Sequence, residues 1–379
     1  MGALDGLLVV ALEQAVAAPL CTARLADAGA RVIKIERTAG ETARHYDHSV
    51  KGTSAYFAWL NRGKESAVLD LKTPDGLRVF RNMLTQTDVL VQNLVPGALG
   101  RLGLGPQTLA WDFPRLVTLS ITGFHHGTSH GDMRAYDMLI QAESGLCAVT
   151  GTPDTPSKVG VSAADIGTGL SAHGLILEAL IERGRTGRGK SIEVAMFDCM
   201  ADWMAVPLLH HDYGGKGTGR HGLSHASIYP YRPFPCADGT LIVAIQTDAE
   251  FARLTDQVME RPELGTNSAF QSNADRVANR TALDTVLEPF FAARRVADVT
   301  ARLAAAGLAC ARYREVPDLA THPALRRCVV TLPEGADAAL PCPPGRGGEN
   351  LPQKVPAVGE QTAAILAEFW SHGTASDRG

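Results

Sequence analysis

The sequence of 379 residues has no apolar run long enough to span a bilayer. Its first stretch, MGALDGLLVVALEQ, carries neither a basic leader nor the cleavage pattern of a secretory signal, so a cytoplasmic protein is expected. Paired cysteines are missing too. Cys21, Cys147, Cys199, Cys236, Cys310, Cys328 and Cys342 are odd in number, dispersed and without any CxxC spacing, which argues against a disulfide frame and against a zinc site. An excess of one charge is also absent: a formal net charge of -4 gives no basis for nucleic acid or an anionic membrane as partner. Finally there is no GxGxxG. The first turn reads EQAVAAP, and without glycines a pyrophosphate cannot approach the helix end as it does in nicotinamide-binding folds, although Glu36 ends the second strand where such folds keep a ribose-binding acid.

What is present is an ordinary globular composition, 45% hydrophobic and 20% charged, in a chain long enough for two domains. Strand-like runs at residues 7–12, 32–36, 67–71, 89–91 and 116–121 alternate with helical patterns. Pro19 opens one helix, closed by Gly29, and PDGLRVFRNMLTQT forms another. Strands alternating with helices predict a parallel, doubly wound sheet.

The most informative stretch is VGVSAADIGTGLSAHGLILEALIERGRTGRGKSIEVAMFD. Apolar residues Leu170, Ile176, Leu177, Leu180 and Ile181 fit one buried helix face, and Arg183, Gly184 and Arg185 read as its end. Asp165 stands at the entrance of that helix, where backbone N–H groups favour negative charge. Gly167 and Gly169 lack side chains, so a bulky ligand has room to approach the carboxylate. By residue type alone, Asp165 serves as an N-cap as readily as a reactive group.

The segment ADIGTG, its helix and TGRGKSIEVAMFD resemble the core motif of the class III CoA-transferases, the CaiB/BaiF family. VIKIER, YFAWLNRGKESAVLDLKTPDG, DVLVQNLVPGALGRLGL, YDMLIQAESGL, HPALRR and VPAVGEQTAAIL follow in that family's order, so the resemblance runs from about residue 4 to about residue 370. It implies an α/β fold: a large Rossmann-like domain over 1–205, a linker over 206–226, a small α+β domain over 227–316, a second linker over 317–354 and a C-terminal segment, 355–379, returning to the large domain. It also implies an interlocked homodimer. No permanently bound cofactor and no metal are expected; coenzyme A enters as acyl-CoA substrate, with a small carboxylic acid as second substrate.

The resemblance makes Asp165 the nucleophile and assigns CoA contacts to Arg37, Lys72, Asn93 and Arg101. Cationic side chains suit phosphates, and a guanidinium also stacks on adenine. Val16 stands where formyl-CoA transferases carry a glutamine, which speaks against the formyl/oxalate pair. The family's glycine-rich covering loop is replaced by Gln246, Thr247 and Asp248, as in the itaconate, mesaconate and succinyl-CoA-using subgroup, and Gln246 is a candidate oxyanion donor. A second substrate carboxylate needs a cationic or hydrogen-bonding partner, for which Arg220, His221 and His225 are candidates. Tyr229 and Arg232 depart from the smaller residues usual in that subgroup. Two rival readings remain, an α-methylacyl-CoA racemase of the same superfamily and a non-catalytic CoA-binding protein. The racemase's His-Asp pair here reads Tyr136-Asp137, and a tyrosine is a poor base at neutral pH, so Tyr136 is expected to bond the intermediate or to pack. His125, His126 and His130, and His210 and His211, lack metal-ligand spacing and read as polar loop residues.

Overall fold

The computed structural model describes residues 2–215, 217–347 and 351–370; the end of the expected C-terminal segment, 371–379, lies outside them. The chain divides into two compact units. Met1–Leu146, Val159–Ala205 and Arg326–Gly379 form the first; Cys147–Lys158 and Val206–Leu325 form the second.

In the first unit six strands pair in parallel: β1 (Leu8–Leu12), β2 (Arg31–Glu36), β3 (Lys64–Val68), β4 (Val89–Gln92), β5 (Val117–Thr122) and β6 (Ser191–Ala195). Their order is β3-β2-β1-β4-β5-β6, so the chain reverses direction across the sheet between β1 and β4. That is the place where doubly wound folds open a binding crevice at the carboxyl ends of their strands. Both faces of the sheet are covered, which is why its central strands read as unbroken apolar runs. Val9, Val32, Val89, Val91 and Val117 point to one core, shared with helices α1 (Ala17–Asp27) and α5 (Ala163–Thr186). Val10, Ile33, Ile35 and Leu90 point to the other, where they meet Val79, Phe80 and Met83 of α3 (Pro74–Leu84) and Ile365 and Phe369 of the last helix, Thr362–Phe369. The remaining helices used below are α2 (Ala55–Leu60), α4 (Asp137–Glu143) and α6 (Met196–Trp203).

Some expected boundaries move. The helix expected from Pro19 begins at Ala17, and the third strand is KESAV, not residues 67–71. Its first half looks polar because Lys64 and Ser66 are buried against carboxylates, Lys64 on Glu13 at 2.6 Å and Ser66 on Glu36 at 2.6 Å. Helix α5 runs past Gly184 to Thr186 and stops at Gly187, whose φ of 73° suits a glycine C-cap. Its buried face is made of small residues, Ala172 and Ala179 beside Ile176, while Leu170 and Ile181 are exposed.

The second unit has its own core. Strands Tyr231–Cys236, Gly239–Ala244 and Ala309–Arg312 pair antiparallel, and helices Arg280–Ala292 and Val296–Ala305 supply Leu287, Phe291, Val299 and Leu303 against Phe234, Leu241 and Val243. Residues expected to open the first linker are instead helical, Ala205–Gly214, so His210 and His211 lie on a helix rather than a loop.

Candidate active site

Asp165 is the third residue of α5. It is not the N-cap that its residue type permitted. Ser162 holds that position without a side-chain hydrogen bond, and the capping carboxylate comes from another helix: Asp137 Oδ1 accepts from the backbone N–H of Ala164 at 2.9 Å and of Asp165 at 3.3 Å. Asp137 is itself held in place. Its Oδ2 accepts from Gln141 Nε2 at 2.8 Å, and the Gln141 side-chain oxygen accepts from the Val159 N–H at 2.9 Å, which fixes the orientation of that fully buried amide. From sequence Asp137 entered only as the second half of the pair Tyr136-Asp137, and Gln141 was not singled out. The available signal was their spacing of four on the YDMLIQAE helix, which puts both side chains on one face.

The Asp165 carboxylate is half-buried, and among the described residues no donor reaches its oxygens. Burial, and secondly the negative charge of Asp137, push its pKa up to about 7. A carboxylate stripped of water and donors in this way is a stronger nucleophile than a solvated one. The two glycines after it serve a different purpose from the one expected. A Cβ on Gly167 would stand 2.8 Å from the Trp203 ring, and one on Gly169 would stand 2.6 Å from the Ala17 carbonyl oxygen. They let α6 and α1 pack directly on α5 and so fix the helix that carries Asp165. Tyr136 caps α4 through its backbone only; its ring is 66% exposed and has no hydrogen-bond partner among the described residues.

Arg37, Lys72 and Asn93 follow β2, β3 and β4 beyond their carboxyl ends, and Arg101 ends the short helix Ala98–Arg101 that comes after Asn93. Arg37, Lys72 and Arg101 are exposed. Asn93 is engaged differently: its Oδ1 accepts from the Gln14 N–H and its Nδ2 donates to the Gln14 carbonyl, both at 2.9 Å. It clamps the turn after β1. Glu36, in the place of a ribose-binding acid, is occupied by the Arg44 guanidinium and the Ser66 hydroxyl.

Gln246, Arg220, His221 and His225 belong to the second unit. Gln246 is exposed just before Thr247, which caps helix Asp248–Arg253 in a capping box with Glu250. Arg220 is committed elsewhere than to a substrate: its guanidinium donates to the carbonyls of Thr152 at 2.8 Å, Ala148 at 3.3 Å and Pro153 at 2.7 Å. His225 stacks on Tyr231 and accepts from the Ser227 N–H through Nδ1, leaving Nε2 as its proton-bearing nitrogen when neutral. Tyr229 is buried in the core of this unit and hydrogen-bonded to Asp284, while Arg232, partly buried, pairs with Asp284 and with Glu288.

The description of CoA-transferase family III matches residues 4–362. The chain belongs to this family. The transferase is 34% identical over 374 residues to an acetyl-CoA:oxalate CoA-transferase of Acetobacter aceti, covering 97% of this chain and 96% of that one. It is 35% identical over 314 residues to a succinyl-CoA:mesaconate CoA-transferase of Haloarcula hispanica, covering 80% and 76%. A solved structure of a CaiB/BaiF family protein from Brucella suis superposes with a TM-score of 0.82 at 34% identity, covering 97% of this chain and 99% of that chain. The enzyme is thus a CoA-transferase, and CoA-transferases use acyl-CoA as substrate or intermediate. Among the described residues no helix is long and apolar enough to cross a membrane.

Proposed function

We propose that this enzyme moves CoA from an acyl-CoA, succinyl-CoA or a similar dicarboxylyl-CoA, to a free dicarboxylic acid, with Asp165 as the covalent nucleophile. The observation that carries the reading is the Asp165 carboxylate, desolvated, without donors and fixed at the start of α5 by the Asp137 cap. An ionised Asp165 oxygen attacks the thioester carbonyl, the C–S bond breaks and the CoA thiolate leaves, giving a mixed anhydride. The thiolate attacks the aspartyl carbonyl carbon and expels the donor acid as its carboxylate, leaving an aspartyl-CoA thioester. The acceptor carboxylate then runs these steps in reverse. Every step is a carbonyl addition and elimination, and the thioester's energy is retained while water is kept out.

The remaining roles extend the family resemblance to the residues expected from it. Arg37, Lys72 and Arg101 meet the nucleotide end of CoA with their exposed charges, and Asn93 acts by holding the turn after β1. Gln246 donates to the developing oxyanion; His221 and His225 remain for the second carboxylate once Arg220 is committed to carbonyls. The linkers proposed from sequence, 206–226 and 317–354, fall within the compact units: 206–226 and 317–325 group with 147–158 in the second, and 326–354 with the first. The enzyme works as an interlocked homodimer in the cytoplasm.

Incubation with donor acyl-CoA followed by hydroxylamine trapping labels Asp165, and Asp165→Asn lowers transfer by roughly a thousandfold or more while CoA still binds. Near-normal transfer by that variant would end the nucleophile assignment. For the acids, succinyl-CoA is used in preference to butyryl-CoA, and itaconate, mesaconate or oxalate in preference to monocarboxylates, as measured by mass spectrometry of the CoA products. The oxalate-using relative puts a two-carbon diacid on that panel beside the C4 and C5 acids expected from the Gln246 loop. Equal use of monocarboxylates would remove the dicarboxylate assignment and leave the transferase intact.

A further inference from the structure

Behind the turn after β1 lies a group of buried charges that the acyl transfer does not use. Glu13, Lys34, Glu36, Glu41 and Lys64 are almost wholly buried. Lys64 Nζ donates to Glu13 at 2.6 Å, Lys34 Nζ to Glu41 at 2.8 Å and to Glu13 at 3.3 Å, and Arg44 closes the set on Glu36. Three carboxylates face three cations, so the set is neutral as a whole. Replacing buried pairs by apolar groups often leaves stability unchanged or improved, so stability alone does not account for such a cluster.

Besides the Pro19 and Glu13 carbonyls and the Ala43 N–H, the cluster holds the Ala15 N–H of that turn. Glu41 Oε2 accepts from the Ala15 N–H at 2.7 Å, while Lys34 holds the other oxygen. Ala15 has a φ of 64°, a left-handed conformation that a non-glycine residue adopts only when something holds it there. The preceding residue, Gln14, is clamped on both its N–H and its carbonyl by Asn93. Val16, next along, packs in one cluster with Leu20, Leu60 and Ile166, the residue after Asp165. The turn is thus fixed at consecutive residues and abuts the first turn of α5.

We propose that Glu41 is a positioning residue for acyl transfer: by accepting from the Ala15 N–H it holds Ala15 in its left-handed conformation, and the turn so fixed forms the wall against which the acyl group meets Asp165. This rests on Asp165 as the nucleophile. Displacement of a wall by about an ångström costs up to ~100-fold in rate with little loss of binding.

Two double variants separate the peptide brace from the charge pair. Lys34→Met/Glu41→Gln removes both charges and keeps an acceptor for the Ala15 N–H; kcat stays within about threefold of wild type. Lys34→Met/Glu41→Met removes the acceptor as well; kcat falls roughly 10–100-fold, KM for acyl-CoA changes less than about threefold, and adding Ala15→Gly restores part of the loss because glycine adopts positive φ unaided. Wild-type kcat in the Met/Met variant, or equal losses in both variants at equal melting temperature, would overturn the proposal. Should the Met/Met variant not fold, Ala15→Val tests the same point without touching the buried charges, since a β-branched residue resists positive φ; it lowers kcat with KM unchanged, and wild-type kcat would overturn the brace. Retained transfer in Asp165→Asn sinks the nucleophile instead, so the two failures are told apart.

Discussion

At the scale of single residues, the site is decided by what surrounds each carboxylate. Asp137 receives two backbone N–H groups and the Gln141 amide, whereas among the described residues no donor reaches Asp165, whose pKa burial and the Asp137 charge push up to about 7. Since the ionised form attacks, kcat/KM for acyl-CoA rises with pH through about 7. Asp137→Asn retains an oxygen for the Ala164 N–H but removes the repelling charge, and it moves that midpoint to lower pH; a pH–rate profile with an unmoved midpoint would contradict the coupling. The same shift has a stability signature. A folded-state pKa above the ordinary carboxyl value of 3.8 means that the folded protein resists ionising Asp165, so stability falls as pH rises from about 4 to about 7 and is level above. Asp165→Asn is therefore more stable than wild type at pH 8, by at most about 4 kcal/mol, and the gap closes near pH 4 in denaturant unfolding. Asp165 was legible in the sequence because its local motif is contiguous. Asp137 was not, because its partners Ala164 and Asp165 lie 27 and 28 residues away and a capping carboxylate from another helix leaves no local pattern. For Arg220, charge suggested a ligand partner, while the structure shows the chain's own carbonyls at 148–153 accepting from its guanidinium.

At the scale of elements, the periodic apolar pattern located the sheet and most helices, and it failed where polar side chains are buried or small ones do the packing. β3 was displaced toward its apolar end because Lys64 and Ser66 face carboxylates inside the protein. On α5, large apolar residues suggested the buried face, yet the contact with α1 is made by Gly169, Ala172, Ile176 and Ala179. The approach is close enough to be tested by one methyl group. Gly169→Ala sets a Cβ 2.6 Å from the Ala17 carbonyl oxygen, a backbone atom that can yield only if a helix moves. The gain of helix propensity, up to about 1 kcal/mol, is outweighed by overpacking of about 1–3 kcal/mol. A lowered melting temperature with a parallel loss of kcat is expected, because α1 begins at the turn beside the site. A variant as stable as wild type would show that the helices separate at little cost.

At the scale of the whole molecule, the family fold was legible through the order of its motifs, while the burial of each helix face was not. Leu170, Leu175 and Ile181 on α5 and Trp203 at the end of α6 are exposed in the first unit; Val206, Leu208, Leu209 and Tyr213 are exposed on the helix Ala205–Gly214. Single exposed apolar residues need no explanation, but helices that turn several of them outward call for a covering surface. A second copy of the chain is the occupant that the proposed interlocked dimer would supply. Interlocking makes a demand that an ordinary dimer does not: subunits separate only when a chain unfolds. Two differently tagged preparations, mixed under native conditions, therefore form no doubly tagged dimer over days, and they form it readily after joint unfolding and refolding. Light scattering reads a dimer down to nanomolar concentration. Exchange within hours in native buffer would rule out interlocking while leaving a dimer, and a monomer at micromolar concentration would rule out both.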